Sequence, residues 1–301
     1  MTRADKRIGF EIALLGLLAL LWGSSYLFIK IAVETIPPIT LIAARVSIAA
    51  IMLTCVMYLC GERLPRDTAT WRMLFIQACF SSIFSWTLLA WGQQFIGSGL
   101  ASVLNSTSPI FVFFITLLLT RHESVHALRL MGAILGLVGV ILIVGVDALQ
   151  GLGDQVAGQL AAVTSAFLYG CAAIYGSRFK HISSTVTASG TMIVAALVLV
   201  PLSLVVDQPW TLKPSSDSIL AVLALGILCT GTAMFIYFRL IRTLGSMGVA
   251  SQAYLRAGVG VALGLVVLGE HITPVVGLGL AAAIAGVVAI NYSTIRASKS
   301  P

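Results

Sequence analysis

The sequence predicts an all-α integral membrane protein of ten transmembrane helices, arranged as two inverted five-helix repeats with both termini cytoplasmic. Three observations predict it. Of 301 residues, 58% are hydrophobic and 10% charged, with a mean hydropathy of +1.02, whereas soluble domains carry about 25% charged residues. Apolar runs of roughly 20 residues recur along nearly the whole chain, each long enough to cross about 30 Å of hydrocarbon. The basic residues collect on alternate segments between those runs.

The runs fall near residues 11–33, 39–60, 71–91, 98–119, 127–146, 157–178, 184–206, 218–239, 246–267 and 274–294. Lipid offers the backbone no hydrogen bonds, so each run must be a helix. The first follows "MTRADKR", a basic start like that of a signal peptide. It continues from Ile12 to Val33, past the about 7–15 residues of a signal core, and no A-x-A cleavage site follows. It reads as a retained helix, and "PPIT" opens the second. Ten spans leave no room for a soluble catalytic domain, and no nucleophile–base pair or metal-ligand set stands at membrane depth, so an enzyme is not expected. Cys55, Cys60, Cys79, Cys171 and Cys229 are scattered through apolar runs. Their odd count and open spacing predict small packing residues, with no disulfide framework, metal site or cofactor.

With the N-terminus placed inside, the inner segments hold fourteen of the eighteen Lys and Arg, and the outer loops hold Lys213 alone. Lys30, Arg45 and Arg256 fall within spans. The positive-inside rule then sets both termini in the cytoplasm. The net charge of +7 is a topological signal and implies no nucleic-acid partner. The bilayer and a small-molecule substrate are the expected partners; a homodimer is possible, although a monomer suffices.

An internal repeat divides the chain at 1–150 and 151–301. "MGAILGLVGVILI" (131–143) matches "LGLAAAIAGVVAI" (278–290), pairing Gly132 with Gly279, Gly136 with Ala283 and Gly139 with Gly286. The same offset pairs His122–Glu123 with Gly269–Glu270, and "GLASVLNS" (99–106) aligns with "GVASQAYL" (248–255). Blocks of five helices must point in opposite directions, the plan of many secondary transporters. The small stripes recur every three or four residues, which makes the fifth and tenth helices packing elements.

Several motifs carry a family resemblance. "LLWGSSYLFIK" (20–30), "PPITLIAAR" (37–45), "AWGQQFIGSGLASVLNSTSPIF" (90–111) and the "HE" and "GE" pairs resemble EamA-type domains in two copies. The chain is thereby identified as a member of the drug/metabolite transporter superfamily, similar to amino-acid exporters of the YddG type. The second copy lacks the Trp-Gly-Ser opening and reads "AFLYGCAAIYGSRF" instead. The resemblance implies a central cavity built by the first, third, fourth, sixth, eighth and ninth helices, with Trp22 among its candidates.

Polar residues within the spans supply the other cavity candidates. Arg256 lies about 15 Å into the bilayer at ~1.5 Å per residue, where an arginine costs roughly 2.5–3.5 kcal/mol on insertion scales. Two fates are open to it: bonding to backbone carbonyls that lock helices together, or facing a wet cavity. In a cavity its guanidinium would take a carboxylate in a bidentate pair. Gln252 is one turn earlier. On the fourth helix Ser98, Ser102, Asn105 and Ser106 form a stripe ending at Pro109, whose ring removes the hydrogen bond to the Asn105 carbonyl. That stripe serves either helix contacts or cargo. Ser85 and Trp86 on the third helix, Tyr169 on the sixth and Tyr254 on the ninth complete the set, ordinary packing being the alternative for each. Lys30 and Arg45 are expected to snorkel outward.

No Asp or Glu stands deep within a span; Glu123, Asp147 and Glu270 are at borders. The expectation is an inner-membrane exporter of small amphipathic metabolites, amino acids including aromatic ones, working by alternating access as a facilitated uniporter. The alternatives are a carrier of drugs, organic cations or other metabolites, and a proton-coupled antiporter.

Overall fold

The computed structural model describes residues 3–119, 130–139, 142, 153–179, 181–237, 239–240, 252–271 and 274–297, side chains at 3–9, 119, 252–254, 276 and 287–297 excepted. Helices run through these residues, with no strand among them. They are α1 (Arg3–Ala32), α2 (Pro38–Leu59), α3 (Thr68–Gly92), α4 (Ser98–Leu118) and α5 (Leu130–Gly139), then α6 (Gly153–Gly176), α7 (Ser184–Val206), α8 (Ser216–Tyr237), α9 (Gln252–Val267) and α10 (Pro274–Ala297). Seven helical stretches are long and apolar enough to cross a membrane, and shorter apolar helices lie at Leu130–Gly139, Leu255–Val267 and Gly277–Gly286. Large apolar side chains cover the outside: Leu59 is 87% exposed, Val266 83% and Leu118 77%. Such a surface is untenable in water and ordinary against lipid tails.

The helix starts follow local chemistry. Pro38 opens α2 where a missing N–H does no harm. Asp207, just past the end of α7, accepts hydrogen bonds from the Thr40 N–H (2.9 Å) and Thr40 Oγ1 (2.7 Å), so one helix end caps the start of another. Asp67 caps α3 by accepting from the Thr70 N–H at 2.7 Å, and Ser215 caps α8 through the Ser218 N–H at 3.1 Å. From those caps α3 and α8 each run 11 residues of α-helix and then widen into a π-turn, Cys79–Ile83 in α3 and Ile227–Thr232 in α8.

Packing repeats the same correspondence. The α1–α9 and α1–α8 pairs have counterparts in α6–α4 and α6–α3, and α3–α7 has one in α8–α2. The α2–α7 and α4–α9 pairs, and α5 with α10, each match themselves. Shifting every helix number by five therefore exchanges the main contacts with one another. The α5–α10 contact is the closest. A Cβ on Gly139 would lie 2.6 Å from the Gly279 carbonyl oxygen and the Ala283 nitrogen, and one on Gly286 would lie 2.5 Å from the Gly132 oxygen and the Gly136 nitrogen. Only backbones without side chains approach so far.

Three expectations need correction. The first helix starts at Arg3, eight residues ahead of the predicted border. Neither Lys30 nor Arg45 snorkels: Lys30 is half-buried and Arg45 is 5% exposed. Cys55 and Cys60 are exposed rather than packed inside, while Cys229 is buried. His122 and Glu123 of the repeat lie outside the described residues.

Candidate functional site

A cavity of about 40 Å³ opens where the middle segments of seven helices meet. From α1 come Trp22, Ser25, Tyr26 and Ile29, and from α3 Trp86 and Leu89. Asn105 (α4), Tyr169 (α6) and Arg256 (α9) add one residue each, and α8 gives Cys229, Thr230 and Met234. These are the six helices expected from the resemblance. The seventh, α2, contributes Arg45.

Irregular backbone brings these groups to one level. Pro109 interrupts α4 as its ring requires: α-helix ends at Asn105 and resumes at Ser108. Asn105 is therefore the last residue before the break, and it is 5% exposed. Cys229 and Thr230 belong to the π-turn of α8, and Trp86 stands three residues beyond the π-turn of α3. Irregular backbone at membrane depth is tolerated where protein or a cavity surrounds it.

Arg45 is held firmly. Its Nε donates to Thr230 Oγ1 at 2.9 Å, and its Cζ lies 4.0 Å from the centroid of the Trp86 ring. Thr230 in turn donates to the Leu225 carbonyl at 2.8 Å, an acceptor five residues back that the π-turn leaves in reach. The hydroxyl thus joins the turn to the guanidinium. Arg256 is half-buried, and its Nε is buried without a hydrogen-bond partner among the described residues. Its helix is clasped closely. A Cβ on Gly23 of the "WGSS" motif would lie 2.7 Å from Val259 and 2.9 Å from the Arg256 carbonyl oxygen, and one on Gly260 would overlap Ser102.

Of the cavity candidates, Arg256, Asn105, Trp86, Tyr169 and Trp22 come together around this space. Ser85, Ser102 and Ser106 do not line it. Ser85 is wholly buried against α6, where it donates to the Ser165 carbonyl at 3.1 Å and shares a 2.9 Å bond with the Ser165 hydroxyl. Ser102 donates to the Gly99 carbonyl (2.7 Å) and, across to α9, the Ala257 carbonyl (3.4 Å), while Ser106 donates back to the Ser102 carbonyl (2.7 Å). The side chains of Gln252 and Tyr254 lie outside the described residues. Sequence reasoning missed Arg45, Tyr26 and Thr230. An arginine seven residues past the start of α2 was a signal that snorkelling explained too readily.

Two more charges tie helix ends together on one side of the cavity. Lys30 Nζ donates to the carbonyls of Gln93 (2.7 Å) and Ile96 (3.0 Å), capping the C-terminal end of α3. Glu270 accepts from the backbone N–H groups of Ser98 and Gly99 (the latter 2.9 Å), at the N-terminal end of α4. Cation and anion each stand at the helix end whose dipole favours them. Gly269, at φ +63, makes the left-handed turn that aims Glu270 there. At the far end of α1, Glu11 is 3% exposed and accepts from Arg239 Nη2 at 3.0 Å.

The sequence profile of the EamA-like transporter family matches residues 9–145 and again residues 156–292. The Escherichia coli K12 protein described as an uncharacterized inner membrane transporter, YedA, is 27% identical over 276 residues, 91% of this chain and 88% of its own. A probable amino-acid metabolite efflux pump of the same organism is 25% identical over 299 residues, 95% of this chain and 97% of its own. The uncharacterized transporter YoaV of Bacillus subtilis is 25% identical over 220 residues, 73% and 75% of the two chains. One crystal structure shares the fold at a TM-score of 0.63 and 21% identity, covering 94% of this chain and 98% of its own.

Proposed function

The chain belongs to the EamA-like transporter family, and from that premise we propose that it exports small amphipathic metabolites, amino acids including aromatic ones, across the inner membrane by alternating access. The carrying observation is the cavity itself. A guanidinium whose Nε has no partner among the described residues, a mid-span amide and four aromatic side chains converge where α4 is broken. Arg256 supplies a bidentate partner for a carboxylate, and Asn105 an acceptor for a neighbouring polar group. Trp22, Trp86 and Tyr169 offer surface to an apolar or aromatic body.

We read residues 1–150 and 151–301 as inverted halves with cytoplasmic termini. The matched caps, π-turns and packing pairs support the pairing of helices, and the basic residues on alternate loops support the orientation. Rocking one half against the other around a fixed midplane site would expose the cavity to each side in turn. Among the described residues none that lines the cavity is acidic, which favours downhill movement over proton exchange at this site and disfavours organic cations. Purified protein in liposomes tests the proposal. Saturable flux with counterflow of labelled amino acids is expected, and absence of flux for every amino acid tried would refute it.

A further inference from the structure

Two guanidiniums line one cavity, and that is one more than a zwitterion needs. We propose that the preferred cargo is a net anion: a carboxylate on an aromatic or apolar body, without a free ammonium group, bound between Arg45 and Arg256. The proposal rests on the transporter reading and moves its preferred cargo from zwitterionic amino acids to their anionic relatives.

The charge balance carries it. Arg45 is 5% exposed, and its contacts are a neutral hydroxyl and a ring face. Neither Arg45 nor Arg256 forms an ion pair among the described residues, and no lining residue is acidic. A buried cation without a counter-ion is strongly unfavourable. The Nε of Arg256 adds a buried donor with no partner among the described residues. With one guanidinium, a zwitterion's carboxylate would be paired while its ammonium turned to Asn105. With two, the ammonium faces a second cation and finds no carboxylate. A monoanion leaves the cavity at one net positive charge, and a dianion leaves it neutral.

Voltage follows from the same charges. Guanidiniums fixed near the midplane do not cross the membrane during rocking, so the transported charge is the cargo's own. An inside-negative potential then drives an anion outward by about 50-fold in its gradient per 100 mV, the equivalent of about 2.3 kcal/mol per charge. Export gains direction with no proton relay in the cavity.

The test uses the full chain and probes sharing one benzyl group. They are phenylalanine (zwitterion), phenyllactate and N-acetylphenylalanine (monoanions), benzylmalonate (dianion) and phenethylamine (cation). Binding is read in detergent from tryptophan fluorescence, since Trp22 and Trp86 line the cavity. Flux is read in liposomes with a potassium–valinomycin potential. The anions are expected to bind about tenfold or more tightly than phenylalanine, about 1.4 kcal/mol per tenfold step, and their flux to follow the potential. Arg45→Gln is expected to narrow that preference to within about threefold. Equal binding of phenylalanine and the anions, with flux indifferent to potential, overturns the inference and leaves the transporter reading intact. Anion-selective binding without flux of any probe does the reverse. Should Arg45→Gln fail to fold, the wild-type probe series decides alone.

Discussion

Glu270→Gln probes the contact by which the second copy caps a helix of the first. Its two carboxylate oxygens each accept a backbone N–H, from Ser98 and from Gly99. The carboxylate fits because glycines surround it: a Cβ on Gly97 would lie 2.7 Å from Glu270 Cδ, and one on Gly264 would lie 2.5 Å from Oε2. A carboxamide in the same cradle keeps one acceptor and turns an NH₂ toward the other N–H. Leaving that donor unsatisfied costs about 1–3 kcal/mol, and losing a negative charge at a helix start costs about 0.3–1 kcal/mol. Half-exposure favours the lower part of these ranges, so about 2 kcal/mol is expected, enough to lower the melting temperature by roughly 5 °C. Purified protein in detergent, followed by tryptophan fluorescence, reads the change. Asp217→Asn is the control, because Asp217 is an exposed acid in the first turn of α8 and is expected to matter by less than about 1 kcal/mol. A Glu270→Gln protein melting no lower than that control would refute the capping argument.

Gly286→Ala should destabilise by about 1–3 kcal/mol, since its new methyl would meet backbone atoms at 2.5 Å; Gly16→Ala, with nothing within 4 Å, should hold or raise the melting temperature in the same assay. Hydrogen bonds from Thr70 hold the exposed Asp67 carboxyl below the usual aspartate range. Its cap is thus intact above about pH 4, the unfolded value, and fails as pH falls through the lower folded value. The melting difference between wild type and Asp67→Ala should therefore shrink below about pH 4, and a difference constant with pH would exclude the cap. Thr230→Val strips Arg45 of its hydrogen bond and should cost about 1.5–3 kcal/mol, with weaker cargo binding; Thr230→Ser should restore both, and no rescue would mean the hydroxyl does not position Arg45.

Much of the fold was legible because membrane helices leave coarse signals. Run length and the Gly132/Gly279 register point to the apolar helices and the α5–α10 contact without reference to distant packing. The break at Asn105 was legible too, since Pro109 acts on its own chain. The π-turns were not. Nothing in "CFSSI" or "ILCTGT" distinguishes a widened turn from an ordinary one, because it is settled by packing and by local acceptors such as the Thr230 hydroxyl. Arg45 illustrates the same divide. Its distance from the outer border fits snorkelling, and only the ring of Trp86 and the hydroxyl of Thr230, 41 and 185 residues away in sequence, show why it turns inward. The serines failed for the opposite reason. Helical spacing puts Ser102 and Ser106 on a polar stripe, yet each hydroxyl finds a carbonyl within its own turn.

The backbone defects themselves argue for where the cavity must be. In hydrocarbon each missing main-chain hydrogen bond needs a local substitute, so sequences under no other constraint keep spanning helices regular. Here the break in α4 and the π-turns of α3 and α8 all deliver side chains to one space. Pro201 is the exception: it faces outward on α7, five residues from the helix end, and frees the Leu197 carbonyl four residues earlier. Three defects on three separate helices do not converge through any requirement of packing, since regular helices pack at least as well. They converge if water and cargo occupy the space, because a hydrated interior satisfies the carbonyls that the defects release and lets the two arginines keep their charge.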